Sequence, residues 1–243
     1  MTLRSIRTIL SLGGFLIAST PKRAKLRKLA ETDPIEAAKL SHEYIKKEVE
    51  HLFEISGSTL EVKGLENIPT DQACLFAGNH LGFFDVIVLE HILPVSAGFI
   101  AKDSLQKIPG LSAWMELLRC LFLNRKDTKE GLKIIFKAAD FLKEGYSMII
   151  FPEGTRYREG ELGEFKGASL KMAQKAKVPV VPFALTGTGK IFEENSFLSV
   201  KPSHVTITFG EPLLINALPR PEQKMAVEMV RNTVQTMIND ALS

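Results

Sequence analysis

The chain has 243 residues, 45% of them hydrophobic, with a formal net charge of +3. That is enough apolar material to bury the core of one generous domain, which excludes a disordered chain. The first 30 residues hold seven Lys or Arg and no acid, leaving 3 − 7 = −4 for the rest, so no nucleic-acid partner is expected and one end of the chain is cationic.

The first predicted element is a helix from about Leu3 to Ala18, weakened by Gly13-Gly14 and limited by Pro21. Its apolar run, Ile9 to Ala18, is about half of the roughly 20 residues that span a bilayer. A signal peptide is one reading. The basic cluster that follows (Lys22, Arg23, Lys25, Arg27, Lys28) favours interfacial anchoring on anionic lipid, with Arg4, Arg7, Phe15, Leu16, Ile17, Lys22 and Arg23 as the anchoring residues. A plain packing helix is the third possibility. A second helix starts at Asp33-Pro34-Ile35-Glu36, with a cap acceptor, a proline in the first turn and a carboxylate at N3, and runs to about Glu54 before Gly57. Residues 1–55 thus form a two-helix membrane-anchoring motif and 56–243 a separate α/β domain.

From residue 58 short apolar runs alternate with helical stretches, the pattern of an α/β fold with a largely parallel central sheet flanked by helices. Strands are predicted at Thr59–Val62, Ala73–Ala77, Ala97–Ala101, Leu121–Leu123, Met148–Phe151, Val180–Leu185 and Val205–Phe209. Helices are predicted near 85–93, 111–119, 128–144, 167–177 and 221–242. Cys74 and Cys120 lie far apart and form no CxxC pair, so they read as buried small hydrophobes.

His80, in 79-NHLGFFD-85, follows the apolar run ACLFAG and should sit just past a strand's carboxyl end, where open α/β sheets bind ligands. Taken singly, His80 reads as a hydrogen-bonded structural residue and Asp85 as a helix cap. Together they permit a carboxylate that fixes the imidazole tautomer while the other ring nitrogen takes a substrate proton. On a regular helix the two would lie about 140° apart, so contact requires the turn that Gly82 permits. One such pair is too small for a metal site, and no metal is expected. In 151-FPEGTR-156 a glycine lets backbone N–H groups approach a ligand and Arg156 can grip an anion with two donors, or Glu153 can simply pair with Arg156. Arg125, Lys102 and Lys166 are further strand-end or loop cations that would suit an anionic substrate. The stretch 186-TGTGK-190 has the wrong spacing for a phosphate loop.

His80-x-x-x-x-Asp85 followed by Phe151-Pro152-Glu153-Gly154-Thr155-Arg156 resembles the glycerolipid acyltransferase family, and 122-FLNR-125 and 178-VPVVPF-183 are similar to its two other blocks. Within the family the likeness is to bacterial 1-acyl-glycerol-3-phosphate acyltransferases. The resemblance implies that His80 is the general base for the sn-2 hydroxyl of lysophosphatidic acid, with Asp85 as its orienting partner. It makes Arg125 and Arg156 phosphate ligands, with Lys102 and Lys166 as further contacts. It places Gly154, with Glu153 and Thr155, at an oxyanion-binding loop. The implied donor is acyl-CoA or acyl-carrier protein, with no cofactor, no metal and no covalent acyl-enzyme. The implied location is the cytoplasmic face of the cell membrane. Leu81, Phe83 and Phe84 would lie along the lipid tail, or pack into the core. Acylation of glycerol 3-phosphate and a non-catalytic membrane module of the same fold are the alternative readings.

Overall fold

The computed structural model describes residues 2–124, 127–196 and 198–243. Three helices come first: α1 (Leu3–Ala18), α2 (Thr20–Ala30) and α3 (Pro34–Ser56). The α/β part follows as β1 (Thr59–Lys63), β2 (Leu75–Gly78), α4 (Phe83–Ile92), β3 (Ala97–Lys102), α5 (Leu111–Leu117), β4 (Leu121–Leu123), α6 (Thr128–Lys143) and β5 (Ser147–Ile150). It closes with α7 (Lys171–Ala176), β6 (Val180–Thr186), α8 (Thr188–Ile191), β7 (His204–Phe209) and α9 (Arg220–Leu242). All seven predicted strands form, and their ends differ by a residue or two.

Two expectations change. Pro21 ends α1 as expected, but it also sits in the first turn of α2, where its missing N–H is not needed. The N-terminal region is therefore three helices rather than two. In the predicted helix 167–177, only Lys171–Ala176 is helical. The Ser169 hydroxyl and amide both bond back to the Lys166 carbonyl, closing a tight turn instead.

The sheet runs β1-β7-β6-β2-β5-β3-β4, parallel except where β6 meets β7. β2 and β6 are buried along their whole lengths, as central strands covered on both faces must be. Alternate side chains divide the core. Cys74, Phe76, Val181 and Phe183 face a cluster that includes α3, α4 and α5, whereas Leu75, Met148 and Val180 face α6, α7 and α9. Cys74 and Cys120 are both buried as expected, and burial pushes each thiol up to about 12.

α1 has two apolar sides. Phe15 packs against both Tyr44 of α3 and Trp114 of α5, with centroids 5.9 and 5.7 Å away, in a three-ring cluster that Leu16 joins. Arg23 donates to the Leu16 carbonyl at 2.7 Å and to Thr20, and the Lys22 ammonium lies over the Tyr44 ring. Phe15 and Leu16 hold α1 to the body, and Arg23 ties α2 to the end of α1. All three thus make contacts within the protein while remaining half-buried. The other side is free: Leu3, Leu10 and Ile17 are 70%, 69% and 78% exposed. With Ile6 they fall within about 60° of one another at roughly 100° per residue. Arg4 and Arg7 are exposed on the same helix. No helix among the described residues is long and apolar enough to cross a membrane.

The helical region is locked to the α/β part by a buried pair, His42 Nδ1 to Glu90 Oε2 at 2.8 Å, linking α3 and α4. Removing one partner leaves a carboxylate stranded in the interior. His42→Ala should lower the unfolding free energy by about 3 kcal/mol in urea titration, and a loss below about 1 kcal/mol would show that the pair contributes little.

Candidate active site

His80 lies two residues beyond β2, at the carboxyl end of a central parallel strand. Asn79 fixes the exit of the chain. Its amide nitrogen donates to the Leu185 carbonyl and its oxygen accepts the Leu185 N–H, both at 2.8 Å, which prolongs the β2–β6 ladder through a side chain. The His80 backbone is then gripped from the 151–157 loop: its N–H donates to Glu153 Oε1 at 2.9 Å and its carbonyl accepts from the Tyr157 N–H at 3.0 Å. The imidazole stacks on Phe151, centroid to centroid 4.0 Å with 15° between planes. The ring's side chain is 15% exposed, enough to meet a substrate from one direction.

His80 Nδ1 lies 2.7 Å from Asp85 Oδ2. Asp85 is not the helix cap but the third residue of α4, and Gly82 is the cap. From N3 its Oδ2 reaches back to accept the Leu81 and Gly82 N–H groups at 2.7 and 2.9 Å, while Oδ1 accepts the Thr188 hydroxyl. Asp85 is fully buried, and its charge is tolerable there because four donors and the amino end of α4 surround it. An ionised carboxylate only accepts, so Nδ1 carries the proton and Nε2 presents its lone pair.

Gly82 serves this turn by closeness rather than by unusual torsion. Its backbone is extended, but a Cβ there would stand 2.0 Å from Glu193 Oε2. Glu193 Oε1 accepts the Phe83 N–H at 2.7 Å and pairs with Arg156 at 3.2 Å. Leu81 and Phe84 are core residues, and Phe83, half-buried, meets Phe84 edge-on with centroids 6.1 Å apart.

The FPEGTR loop differs from expectation. Glu153 does not pair with Arg156, which meets Glu193 instead. The Glu153 carboxylate is buried and holds the His80 and Gly163 N–H groups, both at 2.9 Å, so it braces the loop. The Gly154 N–H is engaged with the Phe151 carbonyl at 3.0 Å and so is not a free oxyanion donor. Gly154 itself has φ +70°, a torsion that favours glycine, and the Lys166 ammonium stands 2.6 Å from where a Cβ would lie. Lys166 is thereby brought over the loop, Thr155 is exposed, and Arg156 is exposed beside Glu193. Lys102 ends β3, two strands from β2, which is about 10 Å across the sheet at ~4.8 Å per strand. Arg125 lies outside the described residues. A cleft of about 1080 Å³ opens beside Leu81, Arg156, Lys190 and Glu193. Asn79, Phe151, Thr188 and Glu193 are the site residues that spacing alone did not single out.

A family model described as Acyltransferase matches residues 59–186, more than half of the chain. The chain belongs to the Acyltransferase family. The match runs from the first residue of β1 to the last of β6. This acyltransferase-family chain is 34% identical over 154 residues to the chloroplastic 1-acyl-sn-glycerol-3-phosphate acyltransferase BAT2 of Brassica napus, covering 63% of this chain and 44% of that protein. The 1-acyl-sn-glycerol-3-phosphate acyltransferase of Borreliella burgdorferi is 33% identical over 141 residues, which is 58% of this chain and 56% of its own. The chain spans about half the length of the curated relatives it matches. The crystal structure of the 1-acyl-sn-glycerophosphate acyltransferase PlsC from Thermotoga maritima is similar with TM-score 0.78 and 27% identity, over 99% of this chain and 98% of that one.

Burial holds the Glu193 carboxyl above its ordinary value of 4.5, against the Phe83 N–H and Arg156, which lower it; burial likewise raises Glu153. A carboxyl raised in the folded state contributes stability that is full below the unfolded value and lost as pH rises through the folded one. Glu193→Gln cannot ionise, so the fall in urea midpoint between pH 4.5 and about 7 should be shallower than in the unaltered protein. Equal slopes would contradict a burdened carboxylate at this position.

Proposed function

We propose that this chain transfers a fatty acyl group from a thioester to the sn-2 hydroxyl of lysophosphatidic acid, forming phosphatidic acid. The observation that carries the reading is the 2.7 Å contact between His80 Nδ1 and a fully buried Asp85 at the end of a parallel strand, in a chain of this family. The names of the relatives support the acceptor.

In this mechanism the hydroxyl donates to His80 Nε2, and its oxygen attacks the thioester carbonyl as the proton moves to the ring. Asp85 stabilises the imidazolium that forms. The tetrahedral intermediate collapses by breaking the C–S bond, and the imidazolium returns the proton to the departing thiolate. The products are phosphatidic acid and a free thiol, with no acyl-enzyme, metal or cofactor step. The acceptor phosphate is held by Arg156 and Lys166, with Lys102 at the end of β3 as a further contact; Arg125, the other cation of the family pattern, lies outside the described residues. Arg156 exchanges Glu193 for the phosphate when the acceptor binds. The donor is acyl-CoA or acyl-carrier protein.

The acceptor is a lipid, and the exposed edge of α1, with Arg7 beside it and Arg4 exposed further round the helix near Gly57, suits peripheral attachment to an anionic membrane. The cytoplasmic face, where thioester donors are made, is the proposed side. The charge carried by Lys22 and the rest of α2 adds to this attraction.

With a palmitoyl thioester and lysophosphatidic acid, the unaltered protein should release free thiol. His80→Ala, with unchanged circular dichroism, should lose at least about 100-fold in kcat. Thiol release equal in both would leave the reaction and remove the base, and release in neither would favour a membrane-binding module. Placing charges at Leu10→Asp and Ile17→Asp together should weaken sedimentation with phosphatidylglycerol vesicles by about 100-fold or more, since burial of each side chain is worth roughly 1.5–3 kcal/mol. Undiminished sedimentation would move the membrane contact away from α1.

A further inference from the structure

Thr188 is fully buried, and its hydroxyl donates to Asp85 Oδ1, the oxygen not shared with His80. It stands in the 186-TGTGK-190 stretch whose spacing does not suit a phosphate loop, and it lies past residue 186, where the family match ends. Resting on the general-base reading of His80, we propose that Thr188 is a positioning residue of the acyl transfer: its hydroxyl fixes the orientation of Asp85 and thereby sets the proton affinity of His80.

The carboxylate of Asp85 can turn about its last side-chain torsion. Three donors hold Oδ2: the His80 ring and the Leu81 and Gly82 amides. Among the described residues, Thr188 donates to Oδ1. A buried hydroxyl needs a partner, and this one has Asp85. Thr188 is itself held in place. The Gly187 N–H donates to Glu159 Oε1 at 2.9 Å, and Lys190 pairs with Glu159 Oε2 at 2.5 Å. Glu159 follows the loop that grips the His80 backbone, so one segment supports both ends of the His80–Asp85–Thr188 chain.

Other charged groups also face the pair. Glu153 meets the His80 amide, Glu193 covers Gly82 with Arg156 behind it, and Lys166 lies over Gly154. Exchanging threonine for valine keeps the shape and removes one hydrogen-bond donor. A donor stabilises the charged carboxylate, so its loss concentrates negative charge on the oxygen facing His80 and strengthens the imidazolium. The base acts in its neutral form, so the acid limb of the rate profile moves to higher pH. A carboxylate freed at one oxygen also orients the ring less well, which lowers kcat and leaves KM alone.

The test compares the unaltered protein with Thr188→Val and Thr188→Ser in two ways: kcat and KM for thiol release across pH, and an NMR titration of the His80 ring in the unliganded protein. Valine should lower kcat roughly tenfold with KM within about twofold. It should also raise the acid limb and the His80 midpoint by roughly half a pH unit or more, and serine should restore both. Valine with an unshifted midpoint, or serine as impaired as valine, would overturn the proposal. The titration needs no turnover, so absence of thiol release in the unaltered protein would sink the acyl-transfer reading and still leave the coupling measured. Should valine not fold, Thr188→Ala replaces it. Should neither fold, a slowly exchanging Thr188 hydroxyl proton with a cross-peak to the Asp85–His80 network decides the matter, and its absence counts against the proposal.

Discussion

A buried carboxylate must be fully hydrogen-bonded or it destabilises the fold that buries it. Asp85 meets that demand by drawing together three separate segments: the loop after β2, the first turn of α4 and the start of α8. Its partners are two backbone amides, an imidazole and a hydroxyl, so the same contacts that make the charge tolerable also fix the imidazole. Moving any of these segments strands the charge. The geometry of the base and the stability of its surroundings are therefore one constraint.

The sheet supplies the convergence. β6, β2 and β5 are adjacent and parallel, so the segments leaving them begin side by side at one end of the sheet. His80 leaves β2, the FPEGTR loop leaves β5, and Thr188 leaves β6. Asn79 and Glu153 stitch these exits together through main-chain atoms. The helical region contributes from one layer: α1 and α2 pack on α3 and α5, on the same side of the sheet as α4. The exposed edge of α1 and the first turn of α4 thus belong to the same layer.

Much of the sheet was legible because its central strands are short apolar runs, whereas β1 (TLEVK) at the edge and β7 (HVTITF) show alternation instead. β2 reads as ACLFAG and β6 as VVPFAL, and both lie where expected. α2 was missed because Lys and Arg fill it and Leu26 is its one fully buried residue, so it shows no apolar stripe, and Pro21 read as a stop although a first turn accepts proline. In the site, the five-residue spacing of His80 and Asp85 pointed to a pair. Its geometry did not follow from spacing, since Asp85 acts from the third helical position and Gly82 leaves room for the Glu193 carboxylate rather than supplying an unusual torsion. Thr188 and Glu193 lie 103 and 110 residues from the groups they hold, and only the fold brings them there. The hydrogen-bonding groups of Glu153 and Gly154 hold the loop and His80, a use that their place in the motif does not reveal. For Phe15 and Leu16, an amphipathic pattern does not say which apolar side faces the protein.

The central claim is that Asp85 holds His80 in the tautomer that leaves Nε2 free to take a proton. The nitrogen-15 shifts of the His80 ring, recorded above its titration with uniformly labelled protein, report this directly. The account predicts a protonated Nδ1 and a bare Nε2. A ring protonated mainly at Nε2, or an even mixture of the two forms, would contradict it.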